Sequence, residues 1–214
     1  MLAPSDTKPR WERRKEARPQ ELLAAALELF VERGYAATRL EDVAKRAGVS
    51  KGTLYLYFAN KEELFKAMVR ETIVPGIGEA EQNLAAFAGS SGDLLRQIML
   101  GWWDRYGSTS VAGVTKLMMA ESGNFPELAE FYNEEVSRRG NAVLTRLLER
   151  GMASGEFRSV DAATMTLVLT APMIMLTMWK HSLQPCANKA IDPHAYLNAF
   201  LDVTLRGLRP DQPA

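Results

Sequence analysis

In the segment AKRAGVSKGTLYLYFANKEELFK, residues 44–66, lysine, threonine and tyrosine stand where a short buried helix would carry leucine. Lys51, Thr53, Tyr55, Tyr57 and Lys61 supply ammonium and hydroxyl groups, the groups that meet phosphate oxygens and base edges in nucleic acids. Residues suited to catalysis are few and scattered. His181 and His194 fall on different predicted elements, without metal-ligand spacing. Cys186 sits in a loop containing Pro and Asn, with no base nearby in sequence to activate it. No glycine-rich run has the pattern of a phosphate cradle. No catalytic residue, metal or cofactor is expected, and the polar cluster is read as a binding surface.

The charge distribution agrees. The chain is neutral overall, but residues 1–70 hold 14 Lys and Arg against 10 Asp and Glu, and the remainder is acidic by the same margin. A basic first third predicts that this part alone meets a polyanion. Six basic residues (Lys8, Arg10, Arg13, Arg14, Lys15 and Arg18) precede the first clear helix, and residues 1–18 read as a basic flexible arm. The single cysteine excludes an internal disulfide, and the N-terminal residues lack an apolar stretch, so a cytoplasmic location is expected.

The elements that position the cluster have helical period throughout, which predicts an all-α fold. Pro19 is placed to open a helix with Leu22, Leu23, Ala26, Leu27 and Phe30 on one face, stopping at Gly34. Thr38 can cap a second helix that ends at Gly48, Ser50 a third and Asn60 a fourth that breaks near Pro75–Gly76. With Leu54 turned inward at about 100° per residue, Phe58 follows it, Gly52 and Leu56 point away, and Thr53, Tyr55 and Tyr57 lie on the flanks. The amides capped by Thr38 and Ser50 suit phosphate oxygens. Leu56 can meet a thymine methyl.

The stretch LFVERGYAATRLEDVAKRAGVS followed by KGTLYLYFANKEEL closely resembles the helix-turn-helix signature of the TetR family of bacterial transcriptional regulators. Turn glycine, cap serine, core residues and the TLYLYF–NKEEL run occur in order from about residue 20 to 68. The resemblance implies a DNA-binding domain over 19–66 and a larger helical effector-binding and dimerisation domain over 67–214. It implies DNA contacts at Thr38, Arg39, Lys51, Gly52, Thr53, Tyr55, Tyr57 and Lys61. Ser50 joins them through its capped amides, and Leu56 through its outward direction. A homodimer on an inverted repeat of double-stranded DNA follows, since a single three-helix unit offers few contacts. Repression is the default reading; an activator, or a sensor acting through a protein partner, is the alternative.

Beyond residue 75 the signature fades. Helices are predicted over 94–106, 112–122, 126–151, 161–181 and 193–208. Residues 162–179 carry no charge, and their length is near the short limit for spanning a bilayer. Four threonines, Pro172 and the lack of a flanking basic cluster argue instead for a helix buried between its own domain and a second subunit. No membrane partner is expected, and helices 161–181 and 193–208 are the candidate dimer face. Trp102, Trp103, Tyr106, Met118, Met119, Phe125, Met173 and Trp179 are the candidate lining of a site for an apolar or aromatic effector.

Overall fold

The computed structural model describes residues 10–187 and 190–210, and every regular element among them is helical. Two compact units divide the chain, the first ending at Met68 and the second starting at Val69.

In the first unit, α1 (Arg10–Arg33), α2 (Leu40–Arg46), α3 (Lys51–Tyr55) and the first part of α4 (Lys61–Thr72) enclose one core. Leu22, Ala26 and Phe30 of α1 are fully buried, as are Val43, Leu64, Phe65 and Met68. Phe30, Tyr35 and Phe65 form a ring cluster with centroids 5.4–5.6 Å apart, stacked or edge-to-face. The turn between α2 and α3 closes as a Schellman motif. The amide of Gly48 donates to the Lys45 carbonyl and that of Val49 to the Ala44 carbonyl. Gly48 takes φ +68°, and a Cβ there would touch nothing, so backbone conformation alone calls for glycine. Ser50 Oγ then accepts the Thr53 amide, and Asn60 Oδ1 accepts the Glu63 amide at the start of α4.

Two expectations change here. The arm expected over 1–18 is helical in backbone from Arg10, and residues 1–9 lie outside the described residues. WERRKEAR is composed mostly of strong helix formers, and Pro19 lies inside α1 rather than opening it. Nor does Thr38 cap α2, whose N-cap position is Arg39 with no side-chain bond. The Thr38 hydroxyl instead lies within hydrogen-bonding distance of the Leu29 and Gly34 carbonyls, at 3.1 and 2.7 Å. Gly34 follows the last residue of α1, so its carbonyl has no intrahelical donor and draws a hydroxyl beside it inward.

The second unit contains α5 (Val74–Ala86), α6 (Ser91–Trp102), α7 (Gly113–Glu121), α8 (Pro126–Tyr132), α9 (Arg139–Ala153), α10 (Ala162–Met178) and α11 (Pro193–Leu208). Its core gathers Leu94, Leu95 and Met99 from α6, Leu147 and Leu148 from α9, Leu169 and Leu176 from α10, and Leu197, Leu201 and Leu208 from α11. Helix α5 was not expected. Pro75 and Gly76 read as a break, yet Pro75 falls in the first turn, where a missing amide costs nothing. Wide π-helical turns follow α6, α8 and α10, over Trp103–Gly107, Asn133–Arg138 and Trp179–Leu183.

With its π-helical extension, α10 is 22 residues long, and an 18-residue stretch of it has mean hydropathy 1.5, enough by length and composition to cross a bilayer. Thr166, Leu169, Leu176 and Thr177 are nevertheless packed inside the unit, with Thr166 Oγ1 2.9 Å from Thr145 Oγ1 on α9. Leu167, Val168, Ala171, Ile174 and Met175 remain exposed.

Just beyond α10, His181 is half-buried, and its Nε2 is enclosed without a hydrogen-bond partner. Burial, then the nearby Lys180 and Lys116, hold its imidazole below the ordinary range, against an opposing backbone hydrogen bond at Thr109. A depressed folded-state pKa means that unfolding takes up a proton, so stability at this site is present near neutrality and lost on acidification. Melting temperatures of wild type and His181→Gln, measured from about pH 7.5 to 5.5 around the usual imidazole pKa, should fall less steeply in the variant. Equal slopes would remove His181 from the acid response.

Candidate functional site

The first unit presents one coherent face. Leu54 and Phe58 anchor α3 and the following turn in the core, which turns Gly52 and Leu56 outward. Leu56 is 82% exposed, the most exposed large apolar side chain among the described residues. Lys51, Tyr55, Tyr57 and Arg39 are also exposed, and the Thr53 hydroxyl shares a 2.9 Å hydrogen bond with Ser50. The Lys51 ammonium pairs with Glu41 and stands 5.7 Å from the centre of the Tyr55 ring. Their hydrogen bond holds the Glu41 carboxyl below the usual range and raises Lys51. A Cβ at Gly52 would meet only Ser50 Oγ, at 3.8 Å, so folding does not require glycine at that position.

Two residues of the expected contact set are engaged inward. Thr38 is 1% exposed, and its amide donates to the Tyr35 carbonyl, so neither amide nor hydroxyl faces outward. The Lys61 ammonium donates to the carbonyls of Tyr35, Ala36 and Thr38 at 2.7–3.2 Å and lies 4.4 Å from the Tyr35 ring centre. It ties α4 to the loop after α1.

A cavity of about 350 Å³ opens within the second unit, between α5, α6, α7, α9 and α10. Its wall is mainly apolar, with Ile77, Ile98, Val143, Leu144 and Ile174 among its residues. Asn83, Gln97 and Asn141 add amides, and the Tyr132 hydroxyl lies 3.0 Å from Thr115 Oγ1. Burial raises the phenol pKa of both Tyr132 and Tyr106. Gly76 lets Tyr106 lie close against the backbone, since a Cβ there would fall 1.7 Å from the Tyr106 hydroxyl.

Of the expected lining, Trp102, Tyr106 and Met173 border this cavity. The other five lie elsewhere. Trp103 and Met118 are buried in the core, Met119 is exposed, Phe125 sits at the start of α8, and Trp179 begins the last π-helical turn. Adjacent residues on a helix diverge by about 100°, so Trp102 and Trp103 cannot both face one void. The wall contributed by α5, including Ile77 and Ala80, was missed. Its signal was Ile77, Ala80 and Leu84 at helical spacing behind Pro75.

Residues 22–68 match the description "Bacterial regulatory proteins, tetR family", and residues 93–183 match "AefR-like transcriptional repressor, C-terminal domain". The fatty acid metabolism regulator protein of Bacillus subtilis (strain 168) is 32% identical over 146 residues, covering 67% of this chain and 74% of that protein. The chain belongs to the TetR family. Among solved structures, the fatty acid degradation regulator FadR of Bacillus halodurans has a TM-score of 0.75 at 25% identity, over 89% of this chain and 99% of that one. FadR of Bacillus subtilis, in complex with stearoyl-CoA, has a TM-score of 0.73 at 25% identity with the same coverage. As a TetR-family protein the chain is a DNA-binding transcriptional regulator, with its helix-turn-helix in the first unit and a helical domain in the second.

Gly52→Ala should leave melting within the small range of surface substitutions, about 0.5 kcal/mol. It should weaken operator binding in fluorescence anisotropy if DNA approaches the backbone there, whereas unchanged affinity would place the duplex farther away. Glu41→Gln releases Lys51 and should strengthen operator binding a few-fold at low salt, with the gain fading as salt rises. No gain would mean that Lys51 stays outside the contact.

Proposed function

We propose that this TetR-family chain is a homodimeric repressor that reads an inverted repeat and is released by an effector with a long apolar chain, of the acyl-CoA class. The largely apolar cavity carries this reading, together with the bound stearoyl-CoA of a structural relative. In the first unit, Lys51, Tyr55 and Tyr57 hold phosphate oxygens with Arg39, while Gly52 and Leu56 face the base edges. Leu56 supports selection of a thymine by its methyl group, because a leucine this exposed otherwise gains nothing from solvent. Lys61 acts mainly by holding the loop after α1.

Two copies are favoured by the apolar surfaces of α10 and α11. Besides the exposed row on α10, α11 leaves Ala195, Ala199, Val203 and Gly207 open at four-residue intervals. Such rows pack helix against helix. An effector releases the operator only if it binds the DNA-incompetent arrangement better, and typical coupling is about 1–3 kcal/mol.

The test selects bound duplexes from a random DNA pool and then titrates the enriched site with stearoyl-CoA. An enriched inverted repeat is expected, with affinity lowered about 5- to 150-fold by the ligand, the span of that coupling. Ligand binding measured by calorimetry without any change in DNA affinity would overturn the effector reading. Enrichment of a single unrepeated site would overturn the dimeric one.

A further inference from the structure

Two faces of α10 share an edge. Leu167, Thr170, Met173, Ile174 and Thr177 line the cavity. Leu167, Val168, Ala171, Ile174 and Met175 are exposed and, at about 100° per residue, form one continuous arc beside it. Leu167, 61% exposed, and Ile174, 36% exposed, belong to both sets. The outer wall of the cavity and the bare face of the helix are therefore partly the same side chains.

That face is self-complementary. No charge occurs anywhere in Ala162–Met178. The order of side chains is also symmetric about Ala171, with Leu167 and Val168 preceding it at the same intervals at which Ile174 and Met175 follow. A two-fold contact sets a surface against its own reverse. Leu167 and Val168 of one copy then meet Ile174 and Met175 of the other, with the two Ala171 side chains facing across the axis. The small residue at that point allows close approach, within the 8–10 Å or so usual between packed helices. An unrelated partner would have no reason to match this palindromic order.

We propose that a second copy of this chain, seated on this arc, completes the outer wall of the effector cavity, so that the cavity is closed only in the dimer. This rests on the reading of the chain as a ligand-responsive homodimer. Occupancy and dimerisation then favour one another, because a ligand held between the two walls binds the paired state better.

The test places a thiol in the wall of the full chain, Thr170→Cys with Cys186→Ser, and follows its reaction with 5,5′-dithiobis(2-nitrobenzoate). Rates are compared with and without Ala171→Arg, which touches the arc but not the cavity, while sedimentation reports the oligomeric state. Diluting the parent protein through its dissociation range gives the same comparison without the arginine. The dimer should react about tenfold more slowly than the monomer, within the usual range for linked equilibria. Equal rates in a proven dimer and monomer would overturn the shared wall while leaving the dimer standing. A dimer that survives Ala171→Arg, or a parent protein monomeric at all concentrations, would overturn it at the interface itself.

Discussion

The Lys61 ammonium, resting on three carbonyl oxygens and against the ring of Tyr35, fixes the loop on which the first unit is built. The loop behind α1 exposes several carbonyls with no helical donor. Lys61 takes those of Tyr35, Ala36 and Thr38, and the Thr38 hydroxyl lies within reach of those of Leu29 and Gly34. With the loop held from inside, Tyr35 keeps its place between Phe30 and Phe65, and α2 starts where its core residues can reach α1. The positive φ of Gly48 then sets the direction of α3. Tyr55 at the end of so short a helix, and Leu56 and Tyr57 in the turn after it, can face outward because Leu54, Phe58 and this loop supply the stability that α3 itself lacks.

The second unit answers a different demand. Protein interiors are normally close-packed, and a void lined by isoleucine, valine and leucine forgoes contacts that those side chains would otherwise make. Here the departure is supported by the backbone. Two of the three π-helical turns border the cavity, contributing Arg105 and Tyr106 in one case and Val136 and Ser137 in the other. A ligand that fills the void restores the missing contacts and stabilises whichever arrangement encloses it.

What could be read in the sequence follows from the range of the forces involved. Gly48, Ser50, Leu54, Phe58 and Asn60 obey rules that act over a few residues, so the turn, the caps and the outward face of α3 were legible. Thr38 was misread because its hydroxyl had two possible partners, an amide ahead or carbonyls behind, and only the folded loop chooses between them. In the second unit, periodicity identified the helices of α6, α10 and α11 but not which side of each faces a void rather than the core. Trp102 and Trp103 look alike in sequence and differ only in what lies opposite. Helix α5 was hidden by Pro75 and Gly76, the second of which is there to admit Tyr106.

The π-helical turn between α8 and α9 also sets the phase of a long rod. From Leu128 to Leu147 an uninterrupted α-helix would place the two side chains about 100° apart around its axis. Both are buried, and the wider turn over Asn133–Arg138 absorbs that angle. The turn therefore works as a one-residue spacer between two separately phased apolar stripes. Loss of one residue within it would restore an ordinary α-helix with about five full turns between Leu128 and Leu147, leaving the two stripes in step. In this segment one residue can be lost without turning the stripes apart, whereas an added one would need a second wide turn to absorb it.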